Sequence, residues 1–557
     1  MPDRARIALK RELMVEDASA AIATLDGTYL LTTPIVDLWT PCIEDNKRPN
    51  SAEFDTLACP DLDLLQCPDE TWQDLFNIGG ENNAATSADR PYFFHFLDTF
   101  TSRTGFVSSF ECGNLEQRLA VLHSIEEKDR LSDYLSTDIV HRFRNQESDN
   151  SYGISSQWLN DPLALQTHQI LLLLKEVVII KPRNSCVTIS WSRDVERRCL
   201  QFFSPSSLRK YIELYWSIWS PNVNFLHRPS FSAANSKPIL LASMAIIGAC
   251  VSPNQEDTDN ARMWFNCVEE AAYADDDFNR DPIVPFHPAR DRQKTQALQA
   301  AYMVCLYQNW EGTDAGKKRI RRHRFSTVLS IVRDLDIMAA RHIDYNSKHR
   351  NEFDWNEFVS REELIRTFIW VFLMDTAFVT FNNLPPRMVV KEMKMHVAAP
   401  ESCFQASTAD QCYDAIRIHS LVFQYQSFFS AGHLLLRTHN ALRNFKDIWH
   451  IHENIVTGRL PHTTIDESNL NAENMWQRVG FCRHAGDFWL LASVKVDRLS
   501  AAETEQHHTA RGETILEDSE QSDPILSKYD QTSMRQVNEL ISEFQRVHLG
   551  DIATAGD

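Results

Sequence analysis

Residues 361–375 read Arg361-Glu362-Glu363-Leu364-Ile365-Arg366-Thr367-Phe368-Ile369-Trp370-Val371-Phe372-Leu373-Met374-Asp375. Leu364, Ile365, Phe368, Ile369 and Phe372 recur at the 3.6-residue period of a helix with one apolar stripe. Glu362 precedes Arg366 by four residues, the order in which such a pair supports a helix. Asp375 falls inside the apolar stretch, where an unpaired charge would cost several kcal/mol. Arg366 and Arg387 are the candidate partners. A buried acid can be catalytic when its pKa is raised. With no nucleophile, base or glycine loop nearby in the sequence, an internal salt bridge is the stronger reading.

The same period extends outward from this segment. Leu208, Tyr211, Ile212, Tyr215, Ile218 and Trp219 share one helical face, and Pro221 ends that helix. Ile239 to Cys250 is almost wholly apolar, as in a helix buried on most sides. Leu298, Ala301, Tyr302, Cys305 and Leu306 form another stripe, and so do Phe325, Val328, Leu329, Val332 and Leu335. Further helices are expected within 413 to 447 and 474 to 499. Glycine is scarce, 16 of 557 residues, about 3% against an average near 7%. Folds that depend on tight glycine turns are therefore disfavoured, and the fold class is all-α.

Composition narrows the function. With 56 Lys and Arg against 76 Asp and Glu, the net charge is −20, which argues against a whole surface built to hold nucleic acid. The 12 cysteines are dispersed and match neither a small disulfide scaffold nor the close thiol pairs of a zinc site. The N-terminus lacks the apolar core of a signal peptide. The apolar runs Ile170–Ile180 and Phe368–Val379 are too short to span a bilayer, so no membrane partner is expected.

Five regions are expected. Residues 1–90 form an acidic, flexible segment, and 49–89 within it carry no Lys or Arg. Acidic residues there alternate with Phe54, Leu57, Leu62, Leu64, Leu65, Trp72, Leu75 and Phe76, the interleaving of a disordered activation segment. Residues 91–190 connect it to a helical domain over 191–500. A polar linker follows over 501–533, then a short helix and tail over 534–557.

No phosphate loop, dinucleotide fingerprint, nucleophile elbow or His-Glu-x-x-His occurs. His450 and His452 stand two apart and would diverge on a helix. Neither they nor the adjacent His507 and His508 make a convincing metal site. The strongest charge anomaly is Lys317-Lys318-Arg319-Ile320-Arg321-Arg322-His323-Arg324. Six permanent cations in eight residues read either as a nuclear-import run or nucleic-acid patch, or as the solvated first turns of the helix through Phe325 and Val328. Cations at a helix N-terminus oppose the macrodipole, which leans towards a use outside folding.

Several segments together resemble the fungal-specific transcription factor domain, or middle homology region. Leu214-Tyr215-Trp216-Ser217-Ile218-Trp219-Ser220-Pro221-Asn222-Val223-Asn224-Phe225-Leu226-His227-Arg228-Pro229-Ser230-Phe231 is similar to its opening, and Gln296–Ala300 to its next helix. The most specific match runs from Arg361, Glu362, Arg366 and Trp370 through Asp375 to Pro385-Pro386-Arg387-Met388, and on to Pro400–Ala406. It is closest to the subgroup bearing pairs of two-cysteine two-histidine fingers. Leu97–Thr101 and Phe110–Gly113 are similar to a segment preceding the domain there. The resemblance covers about 91–500.

The resemblance implies a nuclear transcriptional regulator of a fungus that is not an enzyme. It also implies control of a secondary-metabolite cluster or nutrient-use genes. Expected partners are promoter DNA, reached directly or through a finger-bearing partner, the transcription machinery, and a homo- or heterodimer mate. No finger pattern occurs in the chain, and residues 1–90 hold three cysteines and no histidine. No cofactor is therefore expected, and zinc would enter only with fingers upstream of Met1. The alternatives are a finger-less protein that titrates a DNA-binding relative, and a helical enzyme with a site near Asp375.

Overall fold

The computed structural model describes residues 95–140, 161–181, 184–281, 286–335, 337–389, 392–420 and 474–493 except 479, with 537, 541 and 542. The acidic segment 1–90, the linker 501–533, most of the expected helices at 421–447 and 534–547, and His450, His452, His507 and His508 lie outside the described residues. Of the described residues 72% are helical and none is in a strand.

The helices are α1 (His95–Ser102), α2 (Leu115–Val140), α3 (Ala164–Ile179), α4 (Arg193–Phe202), α5 (Pro205–Leu214), α6 (Pro238–Cys250) and α7 (Gln255–Ala274). They continue as α8 (Arg292–Trp310), α9 (Asp314–Arg319), α10 (Phe325–Asp334), α11 (Trp355–Asn382) and α12 (Ala409–Ile418). Residues 485–493 form α13. Local sequence sets many of the starts. Side chains of Ser192, Ser204, Asn254, Thr313, Asp354 and Thr408 each accept a backbone N–H of the first turn, relieving donors that the helix leaves unpaired. Pro205 and Pro238 occupy first-turn positions that need no N–H.

α6 is the hub. Every residue from Ile239 to Cys250 is buried, and α6 packs against α5, α7 and α8. A Cβ at Gly248 would lie 1.9 Å from the Tyr211 carbonyl oxygen, so the α5 and α6 backbones touch there. α5 does not end at a simple break. It runs into a π-helical turn, Tyr215–Trp219, and a 3-10 turn, Ser220–Asn222, all buried.

α8 departs from the single stripe expected of it. Both faces are buried from Lys294 to Asn309, because its polar residues find partners. Gln296 Oε1 accepts the Lys237 N–H at 3.0 Å, Gln299 Nε2 donates to Thr367 Oγ1 at 3.2 Å, and Gln308 Nε2 donates to Glu269 at 2.8 Å.

α11 also departs from the sequence reading. At 28 residues it is long and apolar enough to cross a membrane, which the Phe368–Val379 run alone is not. Yet 61% of its most apolar stretch is buried inside the protein, and its buried charges are paired within the fold. It is a core helix. Phe96, Phe100, Phe106 and Phe110, from the segment expected to connect, share one core with α5 to α11. Phe106 packs on Trp219 at 4.3 Å, and Phe110 meets Trp310 edge-on at 5.0 Å.

Candidate functional site

Glu362 and Arg366 sit one turn apart on α11, but not at a surface. Their side chains are 0% and 3% exposed, and Arg366 Nε donates to Glu362 Oε1 at 2.6 Å. The pair gathers three distant segments, around Asn224, His342 and Ala399, with Arg366 Nη1 donating to the Asn224 carbonyl at 3.3 Å. His342 Nε2 lies 2.7 Å from Glu362 Oε2, and the Ala399 N–H donates to Glu362 Oε1 at 2.8 Å. Arg366 Nη1 donates to Glu401 Oε1 at 2.7 Å, Nη2 donates to the Ala399 carbonyl at 2.9 Å, and the guanidinium covers the Phe404 ring. Burial would raise the Glu362 carboxyl, but Arg366 and the His342 bond outweigh it and hold it below its ordinary value. Arg361 binds Glu357 and the Arg341 carbonyl. Trp370 Nε1 donates to Asn224 Oδ1 at 3.2 Å, tying α11 to the segment that follows α5.

Glu363 is buried on the next face. It accepts the His227 N–H at 2.9 Å and lies 3.6 Å from Arg292. Burial raises its carboxyl despite both contacts. Burial, with Arg366 and Arg292 adding repulsion, drives His227 down to about 4, so it is neutral in the folded protein near pH 7.

Asp375 takes Arg387 and not Arg366 as its partner. Arg387 Nε lies 3.3 Å from Oδ1, while the N–H groups of Arg387 and Met388 donate to Oδ2 at 2.8 Å. α11 closes at Asn383 in the left-handed conformation, φ 49°, and Pro385-Pro386 carries the chain back so that Arg387 reaches the acid. Asp375 lines none of the clefts below, and its contacts are those of an internal anchor.

The basic run does not begin a helix. α9 starts at Asp314, capped by Thr313, and a π-helical turn, Ile320–Arg324, joins it to α10. The cations therefore follow an acidic first turn and do not oppose the dipole there. Arg319 Nε donates to Glu269 Oε1 at 2.6 Å, and Arg324 Nε donates to the same oxygen at 2.9 Å. Arg324 also reaches Glu270 at 3.0 Å. Arg321 Nε donates to Asn309 Oδ1 at 2.6 Å. Lys317 and Arg321 are buried, whereas Lys318 and Arg322 are exposed. Glu269, fully buried on α7, carries no sequence signal, because a partner fifty residues away is not encoded by spacing. Glu401 lies inside the quoted Pro400–Ala406 phrase, and His342 had no signal.

Among the described residues no group of three His, Cys, Asp or Glu side chains could hold a metal ion. Cys112, Cys186, Cys199, Cys250, Cys267, Cys305, Cys403 and Cys412 are free, and all of them but Cys186 are buried. Burial pushes Cys112 and Cys305 up to about 12, which leaves neutral, poorly nucleophilic thiols. Clefts large enough for a small molecule among the described residues include the following two. One of about 540 Å³ holds Arg118, Arg262, Glu311 and Lys317. The other, of about 390 Å³, lies by the π turn after α5.

Residues 212–442 match the fungal specific transcription factor domain. That span contains the hub helix, the buried α11 charges and the basic run. The chain is also 43% identical to transcription factor verF of Penicillium polonicum, over 89% of this chain and 75% of that protein. The chain belongs to the fungal transcription factor family. No solved structure matches it. The residues that carried the resemblance are mostly interior: Glu362, Arg366 and Asp375 are buried and paired within the fold. The family is one of transcriptional regulators, not one named for an enzymatic activity.

Proposed function

We propose that this family member acts in the nucleus as a pathway-specific regulator of transcription, governing a secondary-metabolite gene cluster or a set of nutrient-use genes. The observation that carries the reading is the 43% identity to a fungal transcription factor through 89% of the chain. The helical domain is the regulatory body, and the acidic segment 1–90 contacts the transcription machinery. Promoter DNA is reached through zinc fingers upstream of Met1 or through a finger-bearing partner, since residues 1–90 lack the histidines of a finger. Dimerisation with a second copy or a relative is part of the same proposal.

Deleting the gene and sequencing transcripts tests it, together with chromatin immunoprecipitation of the tagged full chain. A co-regulated gene set should lose expression, with the chain enriched at its promoters. Absence of promoter enrichment would overturn the reading. Enrichment with rising transcripts would replace activation by repression. Translating the genomic sequence upstream of Met1 separates the two routes to DNA.

A further inference from the structure

α3 is apolar on the side that packs and on much of the side that does not. Its inner face is buried through Gln166, Thr167, Ile170, Leu171, Leu174 and Val178, against α4, α6 and α7. On the outer face Leu165, Leu172 and Ile179 are 61%, 51% and 60% exposed, and Ile180, just past the helix, is 68% exposed. These are four of the nine large apolar residues exposed among those described, so uncovered apolar surface concentrates on this one helix. The Ile170–Ile180 run is too short for a bilayer but long enough for a helix pair.

The exposed residues form a single stripe. At 3.6 residues per turn, Leu165 and Ile179 lie about 20° to either side of Leu172, and His168 and Glu176 about 40° to either side. His168 and Glu176 are exposed as well. Apolar residues seven apart make the narrow seam of a coiled coil, not the broad stripe of a helix facing its own core. Gln169 and Lys175 border the seam, half-buried, and Lys175 is held aside by Glu196 at 3.6 Å. An apolar strip with a polar border is the make-up of an interface. α3 precedes residues 212–442, so the seam lies outside the matched family domain.

The symmetry of the stripe about Leu172 selects the occupant. When two copies of α3 pack antiparallel about a two-fold axis at Leu172, residues equally far before and after it come together. Leu165 of each copy then meets Ile179 of the other. His168 meets Glu176, an imidazole that can donate an N–H against a carboxylate that accepts. A parallel pair would instead set Glu176 against Glu176. We propose that the chain forms a two-fold dimer through the outer face of α3, antiparallel, with Leu172 at the axis. This interface rests on the dimerisation proposed above and gives it a surface and a direction. A contact one helix long, about 24 Å, is at the small end of specific interfaces, which corresponds to a reversible dimer with Kd on the order of 10 µM.

Sedimentation velocity of the full chain, from about 1 to 100 µM, tests the interface. The parent should pass reversibly from monomer to dimer. Leu172→Lys sets two like charges at the axis and should weaken association about tenfold or more, with the thermal midpoint unchanged because the position is exposed. His168→Glu opposes Glu176 twice per dimer and should cost about tenfold. Adding Glu176→Lys to His168→Glu should restore association, since the swap rebuilds opposite charges across an antiparallel pair but not across a parallel one. A parent that stays monomeric throughout would overturn the interface and the dimerisation together. A dimer untouched by Leu172→Lys would overturn this surface and leave dimerisation to another. Loss in His168→Glu without recovery in the swap would overturn the antiparallel pairing. The recovery is a gain of association, so it decides the matter even if Leu172→Lys fails to fold. Each readout is a mass in solution, so the role in transcription stands or falls separately.

Discussion

Arg366 and Glu362 form a surface-type i, i+4 pair that is buried, with 3% and 0% of their side chains exposed and 2.6 Å between Nε and Oε1. Removing one partner strands the other charge without water. Arg366→Met is therefore expected to destabilise the protein by about 3–5 kcal/mol. Glu362→Leu combined with Arg366→Met should be less harmful than the two single losses added, by roughly 1 kcal/mol or more. Urea unfolding of the parent, both singles and the double gives the cycle. Strict additivity would show that the pair is not coupled.

His227 gives a pH dependence of known sign. Its folded pKa is lowered from 6.5 to about 4, so below pH 6.5 the unfolded chain binds the proton more readily. The stability it contributes is present above pH 6.5 and is lost as pH falls towards 4, by up to about 1.4 kcal/mol per pH unit. Glu363, whose pKa is raised, works oppositely and loses stability as pH rises from its unfolded value through its folded one. Comparing His227→Asn with the parent from pH 4 to 7 isolates the histidine. The variant's profile should be flatter by that slope, and parallel profiles would refute the assignment.

The basic run divides by exposure into side chains held in the fold and side chains open to solvent. Glu269→Gln removes the carboxylate shared by Arg319 and Arg324 and should lower stability by about 3–5 kcal/mol. Lys318→Gln with Arg322→Gln alters only exposed side chains and should leave stability within about 0.5 kcal/mol. If the run addresses the chain to the nucleus, these two residues make the contact. A fluorescent fusion of the double variant should then lose nuclear accumulation with an unchanged melting temperature. Unaltered nuclear signal would assign the run wholly to the fold.

Gly248 tests the hub. Any Cβ there meets the Tyr211 carbonyl oxygen at 1.9 Å, and both atoms belong to rigid helices. Gly248→Ala should destabilise by about 1–3 kcal/mol or more, seen as a lower thermal midpoint. A parent-like midpoint would mean that α5 and α6 separate easily.

The helices were legible where burial is one-sided or total. Ile239–Cys250 and the stripes of α10 and α11 could be read directly, because apolar periodicity reports which face leaves water. α8 was harder. Gln296, Gln299 and Gln308 look like a solvent face until their partners on other elements are placed beside them. The Glu362–Arg366 spacing was visible, but its burial was not, since Ala399, Glu401 and His342 arrive from other segments. The choice of Arg387 over Arg366 for Asp375 depended on the turn after Asn383. The cleft by the π turn has the same origin: its residues come from α2, the α5 end and two later turns, and no spacing links them.

The contact that closes the fold also sets its timetable during synthesis. Asp487 accepts the backbone N–H groups of Phe96 and Leu97 at 3.2 and 3.3 Å, and Phe96 stacks on His484 at 3.7 Å. The first described helix thus waits for residues translated 391 positions later, roughly 20–80 s at ordinary elongation rates. Throughout that interval Phe96, Phe100 and Phe110 lack the Phe481 ring they pack against. The nascent chain therefore carries uncovered aromatic surface through most of its synthesis, and termination before Phe481 would leave those three rings without that partner.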